Sequence, residues 1–422
     1  MKFNKVKGTE DYYPEEKSIQ QQIFSTLRTI ANRYNFNEVE TPALETLGLL
    51  TAKGGEEISS QIFTLDKRGK EELGLRFDLT VPITRMFVAK QLELPKPAKW
   101  FGLSRMWRYE RPQKGRLREF YQFSAEIFGT DSKYAVAETL QLLIDMLQSL
   151  GLTKKDFIIK VNNRQFLEGV LDCLDCDFEQ TVKVIDKYKK MSGQEFLDEL
   201  KQAYVKEQQA TTILQLLQLQ DTPAKMFQEV FKKVNYTNSK KSTKGVNELM
   251  DILELLPESF VELDFSIARG LAYYTGTVFE VYDRKGKFRA IAGGGQYDEL
   301  TALLGGRKTP AVGFGLGYST LRLLLEEKGL LPQPQTAPEY AVIVMTGYTV
   351  SLMTFVQQLR EKYSVYVDLK ERKPKKQLDY ASSIGAQKAI FYGTEEQATG
   401  IFTVKDLKTG EEKKVKKEEL LT

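Results

Sequence analysis

Residues 107–126 read WRYERPQKGRLREFYQFSAE: a strand, a loop carrying Pro, Lys and Gly, and a second strand. Side chains two apart on a strand face the same side, so Arg108 and Glu110 address one ligand together while the loop residues Arg116 and Arg118 reach over it. This is a polyphosphate clamp in outline. Arginine's planar fork binds phosphate bidentately and keeps its charge, and neighbouring carboxylates can hold an amine edge or a magnesium ion. The competing reading is a salt-bridged, solvent-exposed hairpin. Working outward, residues 74–126 alternate strand-like pieces (LGLRFDLT, AKWFGLSRMWRYE, REFYQFSAEIFG) with turns, the pattern of an antiparallel sheet.

A second cluster follows later in the chain, ARGLAYYTG at 268–276 and AGGGQYDEL at 292–300. The successive glycines 293–295 let backbone approach a ligand closely, and Tyr273, Tyr274 and Tyr297 offer flat walls with hydroxyl handles. Arg269 stands inside an otherwise apolar strand, where an unpaired guanidinium is costly; it calls for an anion or a carboxylate.

Around these clusters, Ile19, Ile23, Leu27 and Ile30 follow Pro14 at helical spacing, and a further helix is expected at about 134–150. The segment from about 172 to 251 is Gln-, Lys- and Leu-rich and reads as a helical insertion, after which strands resume over 259–317 and the helix STLRLLLEEKG follows. LPQPQTAPE is a Pro-rich linker. Beyond it, strands and helices alternate as βαβαβ, implying a small mixed sheet.

Composition narrows the chemistry. The chain has 422 residues, two cysteines and no histidine. Ser-His-Asp and Cys-His nucleophile systems, HExxH metal sites and imidazole bases are therefore excluded. Catalysis must rest on Arg, Lys, carboxylates, Tyr, backbone dipoles or a bound metal. Cys173 and Cys176 have C-x-x-C spacing, but two thiolates without histidine do not close a zinc tetrahedron. The net charge of +4 is a mild basic excess. Lys370, Arg372, Lys373, Lys375 and Lys376 cluster near the C-terminus, and Lys232, Lys233, Lys240, Lys241 and Lys244 in mid-chain; each is either a solvated face or a polyanion site. No segment approaches a membrane span, and the first residues, MKFNKVKGTEDYYPEE, do not read as a secretory signal, so a cytoplasmic location is expected.

The hairpin resembles the second signature motif of class II aminoacyl-tRNA synthetases. Together with ARGLAYYTGTVFE, AIAGGGQYDEL, the opening KGTEDYYPEE, TPALE and LRFDLTVPITR, it resembles the histidyl-tRNA synthetases over nearly the whole chain. The resemblance implies an α+β architecture: an antiparallel catalytic sheet over 1–171 and 252–328, a helical insertion over 172–251, a linker at 329–338 and an α/β anticodon-binding domain over 339–422. It implies activation of histidine by ATP with Mg2+, transfer to tRNA(His), and a homodimer. No protein side chains are singled out as metal ligands.

Carried over by position, Arg108 holds the ATP α-phosphate and the amino-acid carboxylate, Glu110 the adenine amino group, and Phe120 stacks on adenine. Arg116 lies near the terminal phosphates, and Gln122 and Arg269 face the reacting carboxylate and α-phosphate; Arg108, Gln122 and Arg269 form the catalytic set. Asp78, Thr80, Glu126, Tyr273, Tyr274 and Tyr297, with Gln122 and Arg269, line the histidine pocket. Gln113 approaches the tRNA acceptor end, and Arg372, Lys373 and Lys376 meet tRNA. These roles need no protein imidazole, since the substrate carboxylate attacks phosphorus and the enzyme positions and neutralises.

Three positions depart from the commoner bacterial pattern: Asp78 for Glu, Ala272 for Asp, and Ser319-Thr320 where many class II enzymes place Glu-Arg. Arg322, two residues further, is displaced by about 200° around a helix. The alternatives are a regulatory paralogue sensing histidine or tRNA and a pseudo-synthetase. Such paralogues lose the anticodon-binding domain or the arginine hairpin, and this chain carries residues for both.

Overall fold

The computed structural model describes residues 3–52, 59–67, 69–268 and 274–421. It divides into two units. The first comprises residues up to Tyr12 and Gln20–Pro332; the second comprises Tyr13–Ile19 and the chain from Gln333. Within the second unit, the Gln335 amide donates to Ser18 Oγ at 2.7 Å, which ties the early segment to the later one. Among the described residues, no helix is long and apolar enough to cross a membrane.

The first unit is built on an eight-stranded sheet. In chain order its strands are β1 (Asn37–Glu38), β4 (Ala98–Trp107), β5 (Glu119–Phe128), β6 (Phe157–Asn163), β7 (Val261–Leu263), β8 (Thr277–Asp283), β9 (Ala292–Tyr297) and β10 (Ala311–Gly317). Two short strands, β2 (Leu44–Thr46) and β3 (Leu73–Leu75), pair separately. The spatial order is β1-β4-β5-β10-β9-β8-β6-β7. The body of the sheet is antiparallel as expected, and only the edge pairs β1–β4 and β6–β7 are parallel.

Alternation on these strands separates two faces. Phe101, Phe123 and Phe314 stack on one, with ring centroids 5.3 and 5.9 Å apart in sequence along the row. The opposite face of β5 carries Gln122, Ser124 and Glu126, and their register partners on β10 are Gly317, Gly315 and Gly313. Gly315 and Gly313 in turn pair with Gly293 and Gly295 of β9. Period-two alternation thus produces a floor without side chains beside a row of polar ones.

One helix departs from the strand-and-turn reading of residues 74–126. Thr80–Lys90 is helical, with buried Val81, Pro82, Ile83, Thr84 and Phe87. Its β-branched residues favour a strand locally, but burial of this apolar face in the core outweighs that preference, and Asp78 Oδ1 accepts from the Val81 amide at the helix start. The expected helices at the beginning and middle are found at Pro14–Arg33 and Lys133–Ser149. Six α-helices and two short 3-10 helices occupy Arg164–Glu254, the first being Arg164–Cys173 and the last Lys240–Glu254.

The second unit holds β11 (Tyr340–Val344), β12 (Val365–Val367), β13 (Lys388–Tyr392), β14 (Ile401–Asp406) and β15 (Glu412–Lys416), in the order β12-β11-β13-β14-β15. The first three are parallel and the remainder antiparallel, a small mixed sheet. Helices Val350–Arg360 and Pro374–Ser383 connect the parallel strands.

Candidate active site

The hairpin strands β4 and β5 are joined by a tight loop. The Gln113 and Arg116 backbones exchange hydrogen bonds of 3.1 and 2.8 Å, and Gly115 turns between them at φ +77°, a conformation glycine enters without Cβ strain. The loop is anchored from outside: Arg118 N donates to Gly8 O at 2.8 Å, so the opening KGTE segment braces the hairpin. Thr320 Oγ1 donates to Gly115 O at 3.4 Å, which ties the loop to helix Tyr318–Glu327.

The hairpin opens onto a cleft of about 1000 Å³. Arg108, Glu110, Arg116 and Phe120 line its hairpin side, and Gln122 and Glu126 continue along β5. Asp78 and Thr80 enter from the start of helix Thr80–Lys90, and Tyr274 and Tyr297 close the far wall. The structure therefore gathers ten of the residues selected from sequence into one cavity. Arg269 and Tyr273 lie outside the described residues. Gln113 is on the hairpin loop rather than in the cavity wall, and Arg372, Lys373 and Lys376 belong to the second unit.

Two kinds of place can be distinguished in this cleft. At the hairpin, Arg108 donates from Nε to Phe77 O at 3.0 Å and lies over the Phe120 ring, 5.1 Å from its centroid. Arg116 Nε pairs with Glu110 Oε2, so the clamp carries its own counter-charge. On the glycine floor, Glu126 is fully buried and accepts the Tyr297 hydroxyl at 2.6 Å. Gly313 lies directly across from it, and a Cβ there would collide with the Glu126 carboxylate. Gln122 Nε2 donates to Ser124 Oγ at 2.9 Å. A buried carboxylate with a phenol, on a floor without side chains, suits a small cationic or imidazole-bearing ligand.

The wall beyond β9 was not selected from the sequence. Lys160, Glu280, Tyr282 and Lys189 line it. The Tyr282 hydroxyl donates to Glu280 Oε2, and Lys189 Nζ lies 5.2 Å from the Tyr282 ring centroid. Lys160 pairs with Glu262 and Asp264 at 2.9 Å each, and Lys189 reaches Asp264 at 3.0 Å. Burial alone would raise the Asp264 carboxyl, but the two ammonium groups and the Ser266 hydroxyl outweigh it and bring its pKa to about 2. Alternation in TVFEVYD is an available signal for Glu280 and Tyr282; Lys189 arrives from a short 3-10 helix, Tyr188–Lys190, distant in sequence, and has none.

The departures at Ser319 and Thr320 also fall here. Both line the cleft, and the lining does not include Arg322. The charge of Arg322 acts instead on Tyr12 and Tyr318; burial pushes the Tyr318 phenol up to about 12 against that charge.

In the second unit, Asp368 is fully buried and accepts Arg372 Nη1 at 2.9 Å and the Arg372 amide at 2.8 Å, while Arg372 stacks 4.2 Å from the Tyr380 ring centroid. Burial would raise the Asp368 carboxyl, but these donors hold it below the usual carboxylate range. Lys373 and Lys376 are exposed beside this mount. Of the mid-chain basic cluster, Lys232, Lys241 and Lys244 pair with Glu229, Glu168 and Glu248 at 2.6, 2.6 and 3.6 Å, the solvated-face alternative.

An arginine hairpin set on an antiparallel sheet, with a buried acidic pocket beside it, defines the catalytic unit of a class II aminoacyl-tRNA synthetase. Residues 8–321 match the family model for histidyl-tRNA synthetase, and residues 340–422 match an anticodon binding domain. A histidine–tRNA ligase of Haloarcula marismortui is 36% identical over 418 residues, covering 97% of this chain and 95% of that protein. One from Pyrococcus horikoshii is 34% identical over 429 residues, covering 99% and 98%. The crystal structure of histidyl-tRNA synthetase from Nostoc sp. PCC 7120 superposes with a TM-score of 0.82 at 26% identity, covering 100% of this chain and 99% of that one. The chain belongs to the histidyl-tRNA synthetase family.

Proposed function

We propose that the chain activates histidine with ATP and transfers it to the 3′ end of tRNA(His). The observation that carries this reading is the joint placement of the arginine hairpin and the buried Glu126–Tyr297 pair in one cleft. The histidine carboxylate attacks the α-phosphorus of ATP, the bond to the bridging oxygen breaks, and pyrophosphate leaves with that electron pair. Arg108 is assigned to the α-phosphate and substrate carboxylate, with Gln122 and Arg269 beside them. Glu110 and Phe120 are assigned to adenine, and Arg116 to the terminal phosphates. Asp78, Thr80, Glu126, Tyr273, Tyr274 and Tyr297 are assigned to histidine. Positioning and charge neutralisation dominate such a reaction.

Among the described residues, no group of three or more Cys, Asp or Glu side chains is placed to hold a metal ion. Magnesium is assigned to the nucleotide, entering as the ATP complex. The second unit, with Lys373, Lys376 and Arg372, is assigned to tRNA, and Gln113 to its acceptor end. We further propose a cytoplasmic homodimer, with the segment 172–251 as an insertion in the catalytic domain and 329–338 as the linker to the anticodon-binding domain. The regulatory alternative has no observation in its favour.

Amino-acid-dependent ATP–pyrophosphate exchange with all twenty amino acids tests the reading. Exchange with histidine alone is expected; exchange with none, or with another amino acid, would overturn it.

A further inference from the structure

A triphosphate in this cleft needs cations for its outer phosphates, and Arg116 already shares its charge with Glu110. A second guanidinium is present. Arg289 lines the cleft, is exposed, and has no carboxylate partner among the described residues. It sits on the β8–β9 turn, whose shape is fixed by the buried Asp283: its carboxylate accepts the Lys287 amide at 2.9 Å and the Phe288 amide at 2.8 Å. Lys287 pairs with Glu327 at 2.5 Å and thereby ties the turn to helix Tyr318–Glu327. At the other end of that helix, Gly317 N donates to Ile291 O at 2.9 Å, which ties Ile291, two residues after Arg289, to the helix start.

That helix start is unsatisfied. Its N-cap, Gly317, supplies no side-chain acceptor, and Ser319 Oγ is buried without a hydrogen-bond partner among the described residues. Ser319 also lines the cleft. Helical N–H groups without a side-chain cap and an orphan hydroxyl favour an anion, and a braced arginine lining the same cleft supplies the matching charge.

We propose that Arg289, together with Ser319 and the start of helix Tyr318–Glu327, binds the β- and γ-phosphates of ATP. The proposal rests on the activation reading above and deepens it. It adds a second grip on the nucleotide: the hairpin takes adenine, the α-phosphate and, through Arg116, one side of the terminal phosphates, and the β8–β9 turn takes the outer phosphates from the other side.

The test compares binding of the non-hydrolysable analogue α,β-methylene-ATP and of AMP by calorimetry, in the full chain and in Arg289→Ala, Arg289→Lys and Lys285→Ala. Arg289→Ala is expected to weaken the triphosphate roughly tenfold or more, with AMP affinity unchanged. Arg289→Lys is expected to recover part of the loss, and the neighbouring Lys285→Ala to lose nothing. In pyrophosphate exchange, KM for ATP should rise while KM for histidine holds. Equal losses for AMP and triphosphate, or no loss for either, would overturn the assignment of Arg289. A wild-type chain that binds the triphosphate no better than AMP would overturn the activation reading and this inference with it.

Discussion

The two sheets of this chain treat their faces in opposite ways. In the second unit both faces are covered: Val342, Val344, Ile390 and Phe402 join one apolar cluster, and Ala341, Ile343 and Ala389 another. Charged groups are pushed to the strand ends, where Asp368 mounts Arg372 beside exposed Lys373 and Lys376. In the first unit one face carries the continuous row Phe101, Phe123 and Phe314. The other packs Trp100, Phe128 and Tyr297 at one end and is emptied beyond them, with glycines at 293, 313, 315 and 317 facing the cleft alongside Gln122 and Glu126. Removing side chains from a sheet forfeits packing and β-propensity. What it provides is a rigid surface on which a small ligand can lie within reach of backbone and of a buried carboxylate.

The sharpest way to break this contrast is to put one methyl group on the emptied face. Gly313→Ala should displace the Glu126 carboxylate and lower kcat/KM for histidine in pyrophosphate exchange by about a hundredfold or more, since a displacement of the order of 1 Å at a positioned group costs that much. A reverse change on the covered sheet should do the opposite. Ile390→Ala leaves a cavity and is expected to destabilise the second unit by about 2–5 kcal/mol in denaturant melts, with histidine-dependent exchange retained.

Asp264 offers a third, smaller handle on the catalytic wall. Its folded pKa of about 2 lies below the unfolded value of about 3.9, so its contribution is complete above pH 4 and is lost as pH falls toward 2. The size is about 2–3 kcal/mol, and Asp264→Asn should flatten the acid limb of the stability curve over that window. The smallest effect is expected where charges stand free of the sheet. Lys373→Ala combined with Lys376→Ala should weaken tRNA binding by about tenfold and reduce the slope of log K against log salt by about 1–2, with exchange unaltered.

The same contrast explains what could be read in advance. The hairpin was legible because its charges and its turn residues sit within a single run of sequence, and the βαβαβ pattern was legible because both periods are strong there. Helix Thr80–Lys90 was not: TVPITRMFV has the β-branched composition of a strand, and only the core it fills makes it helical. The glycine floor was half legible. AGGGQYD reads as a ligand-approach segment, but the meaning of Gly313 depends on register with Glu126, a long-range fact. Lys160, Lys189 and Arg289 depend on the same kind of information, since strand pairing and the folded insertion bring them to the cleft.

With the roles proposed for Arg116 and Glu110, their ion pair makes nucleotide entry an exchange of partners. A phosphate that takes Arg116 releases Glu110, and an adenine amino group that takes Glu110 releases Arg116, so either half of the nucleotide prepares the hairpin for the other. Adenine and triphosphate should therefore cooperate through this single switch: adenosine and tripolyphosphate, each bound alone, would have to break the pair unaided, and the sum of their binding energies would fall short of that of ATP even after the entropy of linkage is counted.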